Sequence, residues 1–313
     1  MHCLVTGGFG FLGSRIASEL QDRGWEVTLT CRCKPGEEQY PAGFQVVKSS
    51  WDNLNEVIAL LPSVDAVVLA AGFPYAMCQT HPVEAVLTNA ILKLQIMNLA
   101  TKANIGRLIN LSSMHVFSSY TNGSFCGQSV PDNSSLYAKT HLYAERSLAT
   151  IAKSSFQWES LRLANIVGFP APFSTSDLSL VAQDFCRQAI RRGKIVVTGR
   201  STDLRNFISI EALLEYLMMN LEGDYPHRSP DRVTNFISAK FMSLSCLANM
   251  VSDEAVALGL HSEVEVCVNE TFEQDTLEVT TPEVPCDNSL IDNLVTEYTV
   301  RESLRKMLLS HIV

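Results

Sequence analysis

The stretch Thr-Gly-Gly-Phe-Gly-Phe-Leu-Gly, residues 6–13, decides the fold. It follows a short apolar run, His-Cys-Leu-Val (2–5), which reads as a buried strand. It precedes Phe-Leu-Gly-Ser-Arg-Ile-Ala-Ser-Glu-Leu-Gln-Asp-Arg-Gly (11–24), whose apolar residues recur at helical spacing until Gly24 stops them. Gly7, Gly10 and Gly13 therefore stand where a strand turns into a helix. Glycines let the backbone turn tightly and come close to a ligand. The amino end of the helix offers free N–H groups and a partial positive charge, which suit a pyrophosphate. In this context the spacing predicts a dinucleotide-binding turn.

Working outward, strand and helix patterns alternate as far as Gly168. Strands are expected in Trp-Glu-Val-Thr-Leu-Thr-Cys-Arg (25–32), Phe-Gln-Val-Val-Lys-Ser-Ser (44–50), Val-Asp-Ala-Val-Val-Leu-Ala-Ala-Gly (64–72), Arg-Leu-Ile-Asn-Leu-Ser-Ser (107–113) and 158–168. Helices are expected between them, the longest over 82–104 and 136–153. Runs apolar on both faces, separated by helices, imply an α/β fold: a doubly wound parallel (Rossmann) sheet. Residues 1–168 are read as the dinucleotide-binding domain. Residues 169–313 are read as a smaller α/β substrate lobe, with segments around 204–222 returning to the first. Ser176 or Asp177 is expected to cap the first helix of that lobe.

Composition sets limits. Hydrophobic residues are 46% and charged residues 18% of 313, enough apolar mass for a sizeable core. The net charge is −9 and no basic run occurs, which argues against a nucleic-acid partner. No apolar run is long enough to span a membrane, no signal peptide is read at the start, and the nine cysteines show no metal spacing. These features imply reduced thiols in a cytoplasmic protein. At the end of the second strand, where a carboxylate would hold the ribose of NAD, the chain has Cys31, followed by Arg32 and Lys34. That set favours NADP over NAD.

Several ordered motifs are similar to those of the NAD-dependent epimerase/dehydratase family, the extended short-chain dehydrogenase/reductases. They are the glycine turn, the strand at 65–72, Asn89, Ile-Asn-Leu-Ser-Ser-Met-His-Val-Phe (109–117), Tyr-Ala-Lys-Thr-His-Leu-Tyr-Ala-Glu (137–145), Leu-Arg-Leu-Ala-Asn-Ile-Val-Gly-Phe-Pro (161–170) and 198–213. The resemblance implies a reductase or epimerase acting on a nucleotide-activated, keto or deoxy sugar. It implies Ser113 and Tyr137 as catalytic residues, the tyrosine moving a hydroxyl proton. Cofactor contacts would come from Gly7, Gly10, Phe11, Leu12, Gly13, Arg32, Ala71, Tyr137 and residue 141. Substrate contacts would come from Ser113, Asn165 and Arg205, the last on a diphosphate. A homodimer through helices 82–104 and 136–153 is also implied. Met114 and His115 stand where sugar dehydratases of the family carry an acidic pair, which argues against 4,6-dehydration. His115 is weighed as an acid/base or as packing, and Phe117 replaces the family's tyrosine.

One departure stands out. The family has a lysine four residues after its tyrosine, and this chain has His141. A tyrosine's pKa is about 10, and an ammonium one turn away favours the phenolate. Histidine is only about a quarter charged at pH 7, although pairing with Glu145 would raise that fraction. Lys139, two residues after Tyr137, points elsewhere. The readings left open are a handicapped enzyme, another cation from the fold, a sensor or scaffold that binds cofactor without redox chemistry, and a reductase of a non-sugar carbonyl.

Overall fold

The computed structural model describes residues 1–32, 36, 40–121, 125, 129–152, 157–175, 180–198, 204–223, 233–269, 289–294 and 296–310. β1 (His2–Thr6) leads into α1 (Phe11–Asp22), then β2 (Glu26–Cys31), β3 (Phe44–Lys48), α2 (Asn55–Leu60) and β4 (Ala66–Leu69). Next come α3 (Pro82–Val86), a π-helical turn (Leu87–Leu92), α4 (Lys93–Lys102), β5 (Arg107–Ser113), α5 (Ser118–Thr121) and α6 (Leu136–Ile151). The remainder supplies β6 (Gln157–Leu163), β7 (Asn165–Val167), α7 (Val181–Arg192), β8 (Lys194–Thr198), β9 (Leu204–Arg205), β10 (Phe207–Ser209) and α8 (Ile210–Glu222). It ends with β11 (Val233–Phe236), β12 (Met242–Ser243), α9 (Leu244–Ala257), β13 (Glu265–Asn269), α10 (Ser289–Leu294) and α11 (Glu297–Ser310).

Seven strands form one sheet in the order β11-β6-β5-β4-β1-β2-β3, with every pairing parallel. The alternation of side chains explains why both faces must be apolar. Cys3 and Val5 pack with Ile16 and Leu20 of α1 and with Leu213 and Leu217 of α8. Leu4, Val67 and Leu69 point the other way, onto Ile96 and Met97 of α4 and Leu148 of α6. A separate cluster joins α7, α9 and α11 to β8 and β13 through Phe185, Leu247, Leu304, Ile195 and Val197. The order reverses at β1 and β4, so a crevice opens beyond their carboxyl ends, where open α/β sheets bind ligands.

Three expectations about elements need correction. The helix over 82–104 is interrupted by the π-helical turn, which re-aims the residues that follow it. The run at 158–168 is two strands: at Ala164 the backbone changes partner, Ala164 N–H donating to Phe236 O and Asn165 N–H to Asn206 O. β7 then pairs with β10 outside the main sheet. The seventh strand of the sheet is β11, which lies beyond Gly168 and outside the 204–222 segment. α7 starts at Val181 with Leu180 as its cap, while Ser176 and Asp177 lie outside the described residues.

Candidate active site

The glycine turn closes on itself. Gly10 N–H donates to Gly7 O (2.9 Å), and Gly7 has a φ of +65°, which favours glycine. A Cβ on Gly7 would stand 2.7 Å from Ala71 Cα, because the end of β4 crosses over the turn. A Cβ on Gly13 would stand 2.2 Å from Gly7 O. Ala71 is held there by its N–H, which donates to Thr6 Oγ1 at 3.0 Å. Gly10 begins α1, and no side chain caps it, so the leading amides are free of a side-chain acceptor. Phe11 and Leu12, in that first turn, are half-buried against the core. A bare-backbone cradle with an uncapped helix start fits a pyrophosphate.

At the carboxyl end of β5, Ser113 Oγ accepts a bond from His115 N–H (3.2 Å), which orients the hydroxyl. Ser135 caps α6 through Ala138 N–H (3.2 Å), and this fixes Tyr137 in the first helical turn. Ser113 stands close enough to Tyr137 to act on its phenol. Burial pushes the Tyr137 phenol above its ordinary pKa, the Ser113 hydroxyl works against that rise, and the neighbouring Cys78 adds to it. Tyr75, His115 and Tyr137 form one aromatic cluster, with ring centroids 5.3 Å (Tyr75–His115), 5.4 Å (Tyr75–Tyr137) and 6.1 Å (His115–Tyr137) apart. Burial, helped by Arg205, pushes His115 down to about 4, so the ring is neutral at pH 7. Its Nδ1 is buried without a hydrogen-bond partner.

His141 lies directly under Tyr137, ring centroids 4.4 Å apart. It is buried, and neither ring nitrogen has a hydrogen-bond partner. Burial, with Lys93 and His115 adding to it, holds its pKa well below the ordinary value, so it is not the cation that pairing with Glu145 would make it. That pairing does not form. Glu145 instead accepts from Arg162 Nη2 (2.7 Å), Arg162 Nε (3.1 Å) and Ser112 Oγ (2.5 Å). Lys139 is exposed. Asn89, in the π-helical turn, accepts from Phe73 N–H (2.6 Å) and donates to Thr140 Oγ1 (3.3 Å), tying the loop after β4 to α6.

Asn165 Nδ2 donates to Tyr120 Oη (3.0 Å) and Asn206 O (2.9 Å), so its amide holds α5 against the segment that carries Arg205. Arg205 Nη1 donates to Leu204 O (3.1 Å), and its charge acts on both His115 and Tyr120. Cys31 ends β2, with its Sγ 3.8 Å from Val47 O, and Arg32 is exposed beside it. Lys34 lies outside the described residues.

The sequence profile of the NAD dependent epimerase/dehydratase family matches residues 3–261. The chain belongs to that family. Within it, the chain is 24% identical over 237 residues to UDP-glucuronic acid decarboxylase 1 of Arabidopsis thaliana, a match covering 72% of this chain and 53% of that protein. It thus spans about half the length of that curated relative. Among solved structures it resembles UDP-N-acetylglucosamine 4-epimerase from Methanobrevibacter ruminantium M1 in complex with UDP-N-acetylmuramic acid. The TM-score is 0.79 and the identity 22%, covering 99% of this chain and 98% of the other. It also resembles MoeE5 in complex with UDP-glucose and NAD, with a TM-score of 0.73, 20% identity and full coverage of both chains. At these identities the structural likeness speaks for the fold.

For a family defined by NAD dependence, the cradle at Gly7 and Gly13 and the unpartnered nitrogens of His141 are features that a dinucleotide fits. Gly7, Gly10 and Gly13 would hold its pyrophosphate, and His141 would meet a ribose hydroxyl. Two residues of this region were not singled out from sequence. Tyr75 gave no signal. Lys93 did: it falls on the stripe Asn89, Lys93, Ile96, Met97, Ala100, whose other members are buried and three of them apolar.

Proposed function

We propose that this protein is an NAD(P)-dependent reductase or epimerase acting on a nucleotide-activated sugar, with Tyr137 as the proton-moving residue. The observation that carries this reading is the grouping of Ser113, His115 and Tyr137 at the carboxyl end of β5, beside the crevice into which the glycine cradle opens. The bound nicotinamide would supply hydride transfer. Tyr137 would give a proton to, or take one from, the oxygen of the reacting carbon. Ser113, oriented by His115 N–H, would hold that oxygen and stabilise the phenolate. Arg205 and Asn165 would meet the diphosphate-linked sugar, and the neighbours crystallised with UDP-sugars support that substrate class. Cys31 in place of a carboxylate, with exposed Arg32 next to it, supports NADP over NAD. The exposed Val83 and Tyr143 on the two helical patterns support a homodimer. None of the six described cysteines forms a disulfide, in keeping with a reducing, cytoplasmic setting.

The test is turnover on a panel of UDP-sugars and UDP-keto sugars with NADPH, NADH and their oxidised forms, for wild type and Tyr137→Phe. The expected result is turnover in wild type and loss of roughly two or more orders of magnitude in Y137F, with coenzyme still bound. Equal turnover in Y137F would remove Tyr137 from the role. Tighter binding of NADH than of NADPH would remove the Arg32 argument. A second reading has its own observation. The phenol of Tyr137 is shifted upward and His141 is neutral, which suits a coenzyme-binding sensor with weak redox activity. Coenzyme binding without turnover on any carbonyl or sugar would favour it.

A further inference from the structure

Lys93 is 2% exposed, and its ammonium donates only to neutral acceptors, Asn110 Oδ1 (3.1 Å) and Leu111 O (2.6 Å). Both acceptors belong to β5, and Leu111 is two residues before Ser113. β4 stops pairing with β5 at Leu69–Asn110, so Lys93 satisfies a carbonyl just beyond the end of that ladder. A neutral donor could do the same. Burying an ammonium is costly unless an anion compensates it, and without one the group gives up its proton more readily.

The charged and titratable groups around Lys93 can be counted. Glu145 on α6 is the carboxylate that acts on it, and Glu145 already pairs with Arg162 of β6 and with Ser112. His141 on α6 is the other titratable neighbour, and it is neutral. Among the described residues, two cations, Lys93 and Arg162, therefore share the one carboxylate of Glu145. Lys93 also directly follows the π-helical turn, a distortion that costs regular hydrogen bonding and recurs at functional sites.

We propose that Lys93 is the cation of this site, delivered from α4 to the ground behind His141 and counterbalanced by the anionic dinucleotide when it docks. Position 141 then needs no second cation. Lys93 acts as a positioning residue: it biases His141 to the neutral ring that accepts and donates single hydrogen bonds. Desolvation brings the Lys93 pKa from 10.5 down to about 7, so the empty protein holds this proton weakly near neutral pH. An anion in the cleft stabilises the ammonium, and binding draws a proton from solvent.

This inference rests on the dinucleotide reading, and two measurements separate them. The first is calorimetric titration of NADPH or NADH into the full chain at pH 8, in HEPES and in Tris. Their different ionisation heats reveal proton uptake. The expected uptake is roughly half a proton or more in wild type, retained in His141→Gln and lost in Lys93→Gln with binding preserved. Binding without uptake, or uptake undiminished in K93Q, overturns the proposal. The second needs no coenzyme. His141→Lys should lower the melting temperature by roughly 5 °C or more, and K93Q/H141K should recover most of that loss. Strictly additive effects of the two substitutions overturn the one-cation pocket. Should K93Q fail to fold, Lys93→Met serves in its place. If neither coenzyme binds, the dinucleotide reading fails, and with it the proposed counter-charge. The melting temperatures still decide whether 93 and 141 share one charge.

Discussion

Replacing Lys93 with Met should change how stability depends on pH. The native ammonium loses its proton near pH 7, against 10.5 when unfolded. Between those values the unfolded chain binds more protons than the native one, so stability rises with pH, by at most about 1.4 kcal/mol per unit. Other groups leave a narrow window in which Lys93 dominates. Burial holds His115 near 4 and His141 low, against an ordinary 6.5, so their contributions also rise with pH but are nearly complete by about pH 7.5. Above about pH 8.5 the buried thiols take over. Cys186 is pushed up to about 12, and Cys3 is pushed up as well. The unfolded chain then loses protons that the native thiols keep, and stability falls. Urea unfolding at pH 7.5, 8.0 and 8.5 should show wild type gaining about 1 kcal/mol across the interval and K93M remaining flat. Parallel slopes for the two proteins would mean that native Lys93 keeps its proton through this range, so that the protein already supplies its counter-charge and the count of charges around it is wrong.

Gly13→Ala places a methyl 2.2 Å from Gly7 O, inside backbone that cannot move without opening the turn. The expected outcome is a stability loss of about 1–3 kcal/mol and coenzyme affinity reduced roughly tenfold or more, read by fluorescence titration. Unchanged affinity would mean that the turn does not hold the pyrophosphate. Arg162→Met leaves Glu145 buried, with only Ser112 and the distant charge of Lys93 to stabilise it. It should cost about 3 kcal/mol in chemical denaturation, and a loss under about 1 kcal/mol would show that Glu145 takes a proton or finds Lys93 instead.

The legible part of the fold is the part where each residue answers to its own neighbourhood. The turn at 6–13 could be read because steric rules at Gly7 and Gly13 act within a few residues. β1 and β4 could be read because a strand with two covered faces is apolar throughout. The break at Ala164 could not, because it depends on Phe236 and Asn206, which arrive from far along the chain. For the same reason β11 was not visible as part of the main sheet. At the site, Ser113 and Tyr137 could be paired from motif order. The fate of Glu145 could not, since nothing local distinguishes His141 from Arg162 as its partner.

The most informative failure concerns His141. Taken alone, a histidine where a lysine is expected reads as a lost charge, and restoring lysine reads as a repair. Four residues after Asn89, however, the chain places Lys93 on the buried stripe of its helix, where its charge acts on His141. A lysine at 141 would then put two ammonium groups in one enclosed space whose carboxylate already belongs to Arg162. On the proposed one-cation pocket, lysine at 141 should therefore be tolerated only after position 93 has been neutralised.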